Sequence, residues 1–457
     1  MKKLLPTALT AALVFTFTII STAQTSQTET LRDIGEAPSA ERVEKDIRKL
    51  VSFGTRHTLS DTTSDSRGIG AARRWIKAEF ERISEECGGC LEVFYVGDVV
   101  EGERRIPDPV NVVNVIAIQR GTTDPNRFVM MSGDIDSRVS DPLDGTSDSP
   151  GANDNASGVA GVLESARVLS NYDFNGSIIY AALSGEEQGL FGGKILADYA
   201  KEQGWRIKGV LNNDMIGNIT GINRITDNTT ARVFSEGTRY VETEREARIR
   251  RFTGGEVDSP SRNLARYVNK MADLYIRNLD MMMIYRLDRF GRGGHHRPFN
   301  EAGFPGVRIM ETNEHYHRQH QDLRTENGIK YGDVLEGVDF EFAAKLTGLN
   351  AVVMASMSWA PNPPVGVEIS GAVQPSTTLS WKPLDEAQNP QLAGYKVYWR
   401  LTTSPTWEKS VFVPADQTEH TLENIVIDNY FFGVASVSKD GFESPVVFPG
   451  PAGSFGE

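Results

Sequence analysis

The chain has 457 residues, a formal net charge of -13 at pH 7 and only two cysteines. That length holds more than one domain. The acidic balance argues against a nucleic-acid partner, and after the N-terminal apolar run no segment approaches the roughly 20 apolar residues of a membrane span.

In chain order, Met1-Lys2-Lys3, an apolar stretch from Leu4 to Ile20 and the small residues Ser21-Thr22-Ala23 read as a secretory signal over 1–23. The mature chain is therefore expected to be secreted or periplasmic, with no membrane contact after cleavage. Val43, Ile47, Leu50 and Val51 give the segment Ser39 to Ser52 an amphipathic helical pattern, and a second helix is expected from Ile69 to Ile83. His57, between them, is read as structural. Cys87-Gly-Gly-Cys90 lacks the second cysteine pair that a four-thiolate zinc site needs, so an exported chain is expected to close it as a local disulfide.

The next segments repeat one pattern, a strand running into carboxylates. Arg127 to Gly133 reads as a buried strand ending at Asp134-Ile135-Asp136, and Gly151-Ala-Asn-Asp154-Asn-Ala-Ser-Gly158 leads into a helix carrying Val159, Val162, Leu163, Ala166 and Leu169. Ser177 to Ala182 reads as a strand before Gly185-Glu186-Glu187-Gln188-Gly189, and Lys208 to Leu211 as one before Asn212-Asn213-Asp214. The stretch from Ile219 to Arg232 is polar and says little, Glu242 to Arg251 reads as an exposed helix face, and Ser261 to Met283 as one amphipathic helix ending in Met281-Met282-Met283. Val307 to Met310 is a last strand before Glu311, followed by a loop with His315, His317 and His320, three of the chain's seven histidines.

A Glu pair, an Asp after a strand or a His-rich loop is by itself commonly a solvated surface or a cap. Their recurrence at the ends of successive strands is informative, because a parallel or mixed sheet brings those ends together. Adjacent carboxylates repel unless a cation relieves them, and carboxylates with imidazole and no thiolate suit zinc or a similar divalent ion in hydrolysis.

Asp-x-Asp, Gly-Ala-Asn-Asp-Asn-Ala-Ser-Gly, Gly-Glu-Glu-Gln-Gly-Leu, Asn-Asp-Met-Ile-Gly and a His-rich loop, in that order from about Glu41 to Leu346, resemble the di-zinc exopeptidases of the bacterial leucyl aminopeptidase and aminopeptidase Y type. The resemblance implies Asp154 as the carboxylate bridging two zinc ions, Glu187 and Asp214 as ligands of one ion each, Glu186 as general base and Asp136 as the acid that orients a metal ligand. It implies peptide substrates and aminopeptidase activity. Two positions depart from the pattern: Asp134 stands where the family has a histidine ligand, and Arg318 falls where the final histidine is expected. Asp134 remains a candidate ligand, and His320 is preferred over His317 as the displaced histidine. His296, in Gly291 to Phe299, is a candidate substrate contact with a structural role weighed equally. A carboxypeptidase, a glutaminyl cyclase and a catalytically degenerate binding protein are the alternatives.

Trp359-Ala-Pro-Asn-Pro-Pro-Val365 predicts an extended linker over 359–365. After it, short strand patterns recur at Gly366 to Ser370, Ser376 to Trp381, Gly394 to Arg400, Lys409 to Val413, Glu419 to Leu422 and Tyr430 to Val437. With Trp381, Tyr395, Val397 and Trp399 this tail resembles a fibronectin type III domain. The expected architecture is thus α/β: a three-layer α/β/α domain with a mixed sheet over 24–358, then a small all-β sandwich over 366–457.

Overall fold

A computed structural model describes residues 27–456; the expected signal, 1–23, lies outside the described residues. The N-terminal part is built on β1 (Leu91–Val100), β2 (Val110–Gln119), β3 (Asp124–Asp134), β4 (Gly176–Leu183), β5 (Arg206–Asn213), β6 (Thr230–Ser235), β7 (Asp280–Ile284) and β8 (Gly306–Glu311). They form one eight-stranded sheet in the order β1-β2-β4-β3-β5-β8-β6-β7. The centre, β4-β3-β5-β8, is parallel, whereas β1, β2 and β6 join their inner neighbours antiparallel.

Strands buried on both faces read as continuous apolar runs, and β4 is buried at every position. Its residues alternate between two cores: Ile178, Tyr180 and Ala182 face one, Ile179, Ala181 and Leu183 the other. Helices Ala40–Val51, Gly68–Glu86, Ala156–Leu169, Pro260–Tyr275 and Phe340–Trp359 cover the first face, and Phe191–Glu202 with His296–Glu301 the second. The result is three layers. Cys87 and Cys90 form the expected disulfide.

One expected helix is shorter than its sequence pattern. Pro260–Tyr275 ends at Tyr275, Asn278 turns the chain at a φ of 53°, and Met281, Met282 and Met283 lie in β7. Met281 is buried while Met282 is 45% exposed, the alternation of a strand rather than a helical stripe. The polar stretch before it ends inside β6, which sheet pairing with β8 imposes on a sequence of weak strand character.

After β8 come a small hairpin of β9 (Arg324–Glu326) and β10 (Ile329–Tyr331), then helix Phe340–Trp359. The C-terminal part has β11 (Val365–Ser370), β12 (Thr377–Lys382), β13 (Leu392–Leu401), β14 (Lys409–Pro414), β15 (Glu419–Leu422) and β16 (Tyr430–Ser438). Two antiparallel sheets, β11-β12-β15 and β14-β13-β16, enclose a core of Leu379, Trp381, Tyr395, Val397, Val413, Phe432 and Val434.

The two parts are docked rather than strung. Residues 360–364 are buried, the Asn362 side chain donates to Asp124 (3.0 Å), and its carbonyl accepts from Ser436 (2.7 Å). Arg400 and Asp258 form a buried ion pair at 2.8 Å across the junction, and Glu443 receives Lys270 from the other side. Among the described residues no helix is long and apolar enough to cross a membrane.

Candidate metal centre

Parallel strands deliver their carboxyl ends to one edge, and β3, β4, β5 and β8 each end there in a carboxylate or lead directly into one. Asp134 closes β3, Glu186 and Glu187 follow β4 across Gly185, Asp214 follows β5, and Glu311 closes β8. Gly185 makes its turn at a φ of 73°, open to glycine without strain. At Gly133 a Cβ would lie 2.5 Å from the backbone of Gly158, so only glycine lets β3 approach the entrance of helix Ala156–Leu169 closely enough to bring Asp134 beside the Asp154 loop.

His320 completes the arrangement from the loop after β8. Its Nε2 lies 3.1 Å from Asp154 Oδ2 and 2.9 Å from Glu187 Oε1. One ligand atom from each of Asp154, Glu187 and His320 lies within 4.8 Å of the other two, and among the described residues no second group of three does so. His320 adopts a left-handed φ of 50°, and Leu190 and Met215, just beyond the Glu pair and Asp214, do so at 63°. Backbone strain of this kind gathers where a site over-determines its residues.

Burial disfavours charge on all three groups, yet their mutual attraction prevails. Burial lowers the proton affinity of His320, but Glu187 and Asp154 lift its pKa to about 9. Burial likewise works against ionised Asp154 and Glu187, and His320 holds both below their ordinary values. Glu186 has no such partner. Burial first, then Asp214 and Glu187, raise it well above the usual carboxylate range.

Three neighbours hold this half in place. Asp136 accepts the backbone N–H groups of Glu186 (3.2 Å) and Glu187 (3.0 Å) and the Thr58 hydroxyl (3.1 Å), so it fixes the Glu–Glu turn; burial, then Glu187, lift it to about 6. Asp333 accepts the N–H groups of Asn153 and Asp154, the latter at 2.6 Å. Arg138 donates to Glu187 Oε2 at 2.8 Å and faces His320 Nδ1 at 2.8 Å.

Asp134 and Asp214 are placed differently. Asp134 Oδ1 meets His295 Nδ1 at 2.5 Å, and Oδ2 accepts from Asn155 Nδ2 at 2.8 Å. Asp214 Oδ2 pairs with Arg308 Nη2 at 2.7 Å. Arg308 is fully buried in the middle of β8 and also pairs with Asp288 at 3.0 Å. Of the other histidines, His317 packs on Tyr331 (4.8 Å between ring centres) and lines a separate cleft, and His296 is buried with Nε2 on the Leu287 carbonyl at 2.8 Å. His57 is buried between Gln188 and the Pro142 carbonyl.

The cleft above the site has a volume of about 820 Å³ and is lined by five arginines, Arg105, Arg138, Arg289, Arg292 and Arg297, besides Asp154, Glu186, Glu187, Asp214 and His320. The sequence reading missed Arg138, His295, Arg308 and Asp333. The doubled histidine at 295–296 was a usable signal for His295. Nothing in the spacing marks the others.

Residues 114–336 match the model of peptidase family M28. A probable zinc metalloprotease of the fungus Leptosphaeria maculans is 43% identical over 424 residues, which is 93% of this chain and 97% of that protein. A second, from Pyrenophora tritici-repentis, is 40% identical over 433 residues, covering 93% and 98%. The chain belongs to peptidase family M28. The aminopeptidase LapA of Legionella pneumophila has the same fold: TM-score 0.54, 19% identity, 73% of each chain covered.

Against the zinc that an M28 peptidase implies, the two halves of this site test differently. Two carboxylates and an imidazole Nε2 converging on one point are a fitting donor set. In the other half both oxygens of Asp134 are engaged, and Asp214 already faces a fixed cation.

Proposed function

We propose that this M28 peptidase is a zinc-dependent exopeptidase that hydrolyses residues from peptide N-termini. The observation that carries the reading is Glu186, unpaired and high in proton affinity, beside the convergent Asp154, Glu187 and His320. Zinc held by those three residues would acidify water and polarise a carbonyl oxygen. Glu186 takes the proton from the attacking water at its carboxylate and returns it to the leaving amine. Asp136 keeps the Glu186–Glu187 turn rigid through two backbone hydrogen bonds, so that base and ligand hold their relative positions. The names of the fungal relatives support a zinc metalloprotease.

A carboxypeptidase is the second reading, favoured by the five arginines of the cleft, which would attract a free carboxylate. A tripeptide blocked by acetylation at its amine and another blocked by amidation at its carboxyl separate the two. An aminopeptidase cleaves only the amide. Cleavage of the acetylated peptide alone would replace the first reading with the second, and cleavage of neither in the presence of zinc would favour a binding protein.

We further read the chain as exported and the C-terminal sandwich as a fibronectin type III-like module. The Cys87–Cys90 disulfide and the shared core of Trp381, Tyr395 and Val397 support these readings. N-terminal sequencing of protein recovered outside the cell is expected to begin near Gln24.

A further inference from the structure

Asp214, which the resemblance makes a ligand of the ion that Glu187 does not hold, and Asp134, the candidate ligand at the family's histidine position, are matched with protein groups instead. His295 and Asn155 take both oxygens of Asp134, and Arg308 takes Asp214. Arg308 is not a mobile surface cation that an ion could push aside. It is fully buried on a central strand, donates to the Gly293 carbonyl at 2.9 Å, and is shared between Asp214 and Asp288. A guanidinium keeps its charge at any physiological pH. Removing it from Asp214 would also take from Asp288 its shortest ion pair. A divalent ion admitted beside it would face a fixed positive charge at short range, in surroundings that screen little.

We propose that this chain holds one zinc ion, on Asp154, Glu187 and His320, and that the buried Arg308 guanidinium occupies in charge the place of a second ion. Arg308 is then a positioning residue. It neutralises Asp214 permanently, and with His295 on Asp134 it leaves Glu186, beside the metal ligands, without a basic partner. The inference rests on the zinc-hydrolase reading above and narrows it to a mononuclear site.

The test is the zinc content of the folded full chain, by elemental mass spectrometry and by calorimetric titration of chelator-treated protein. One zinc per chain is expected, with His320→Ala falling to none. Two per chain in the unaltered protein would overturn the single-ion inference and leave the hydrolase reading intact. None at saturating zinc would overturn both. A double variant, Asp134→His with Arg308→Met, restores an imidazole and removes the cation. If it folds, it is expected to bind two ions, and a count of one would overturn the role given to Arg308. If it does not fold, the count in the unaltered protein decides.

Discussion

The two halves of the carboxylate cluster are made of the same residue type at the ends of neighbouring strands, yet they have opposite characters. Around Asp154 and Glu187 the counter-group is His320, on a loop and about one-fifth exposed, an imidazole whose proton a metal ion can replace even though the two carboxylates hold it tightly. Around Asp214 it is Arg308, locked in a strand and unable to exchange its proton for a metal. A carboxylate's role is thus set by whether its partner can leave. A displaceable imidazole makes a metal site, and a fixed guanidinium makes a structural pair.

That contrast is open to measurement. The largest effect is expected from Glu186→Gln, which should lower kcat by about 10²–10⁴-fold with zinc content and melting temperature unchanged. An equal loss of zinc would mean that Glu186 is a ligand. Arg308→Met should act on stability instead, because it leaves Asp214 buried without a partner and takes from Asp288 its shortest ion pair, at a cost of about 3–5 kcal/mol. Chemical denaturation checks this, and an unchanged midpoint would dissolve the distinction between the halves. His320→Ala should abolish zinc binding, which Arg308→Met should leave intact, and at neutral pH it also costs the metal-free protein the pairing with Asp154 and Glu187. Asp136→Asn keeps the shape but weakens the hold on two N–H groups, and about 10–100-fold in kcat/KM is expected.

The smallest effect lies at the junction of the two parts. Burial opposes ionised Glu443, but Lys270 and Lys396 hold its pKa at about 2, below the ordinary 4.5. A depressed carboxylate stabilises the folded state above its unfolded pKa, and that contribution is lost as pH falls through about 2. Both lysines are partly exposed, so the contribution is on the order of 2 kcal/mol or less. Glu443→Gln should remove it at neutral pH and flatten the fall in stability between about pH 5 and 2.

Much of this site is legible because parallel strands make neighbours of residues far apart in sequence. A strand followed by a carboxylate, seen at Asp134, Glu187 and Asp214, already implies a common edge. The partners are harder to read. Arg308 sits inside Val-Arg-Ile-Met, a run that resembles any strand interior, and its pairing with Asp214 is 94 residues distant. Asp333 reaches the Asp154 loop from 179 residues away. The choice between His320 and His317 turns on a left-handed backbone at His320, which composition does not announce. Met281 to Met283 misled for a local reason. A run of one residue type has no period, so helix and strand read alike until sheet pairing decides.

Pro361 to Pro364 look like a tether in sequence but form part of a wall in the folded protein, with Trp359 stacked on Phe442 at 4.9 Å beside them. A digesting protease therefore meets no hinge to nick between the two folds. Cutting the gene at that point would expose a greasy seam on each product, and the hydrolase and its tail should survive or perish as one particle.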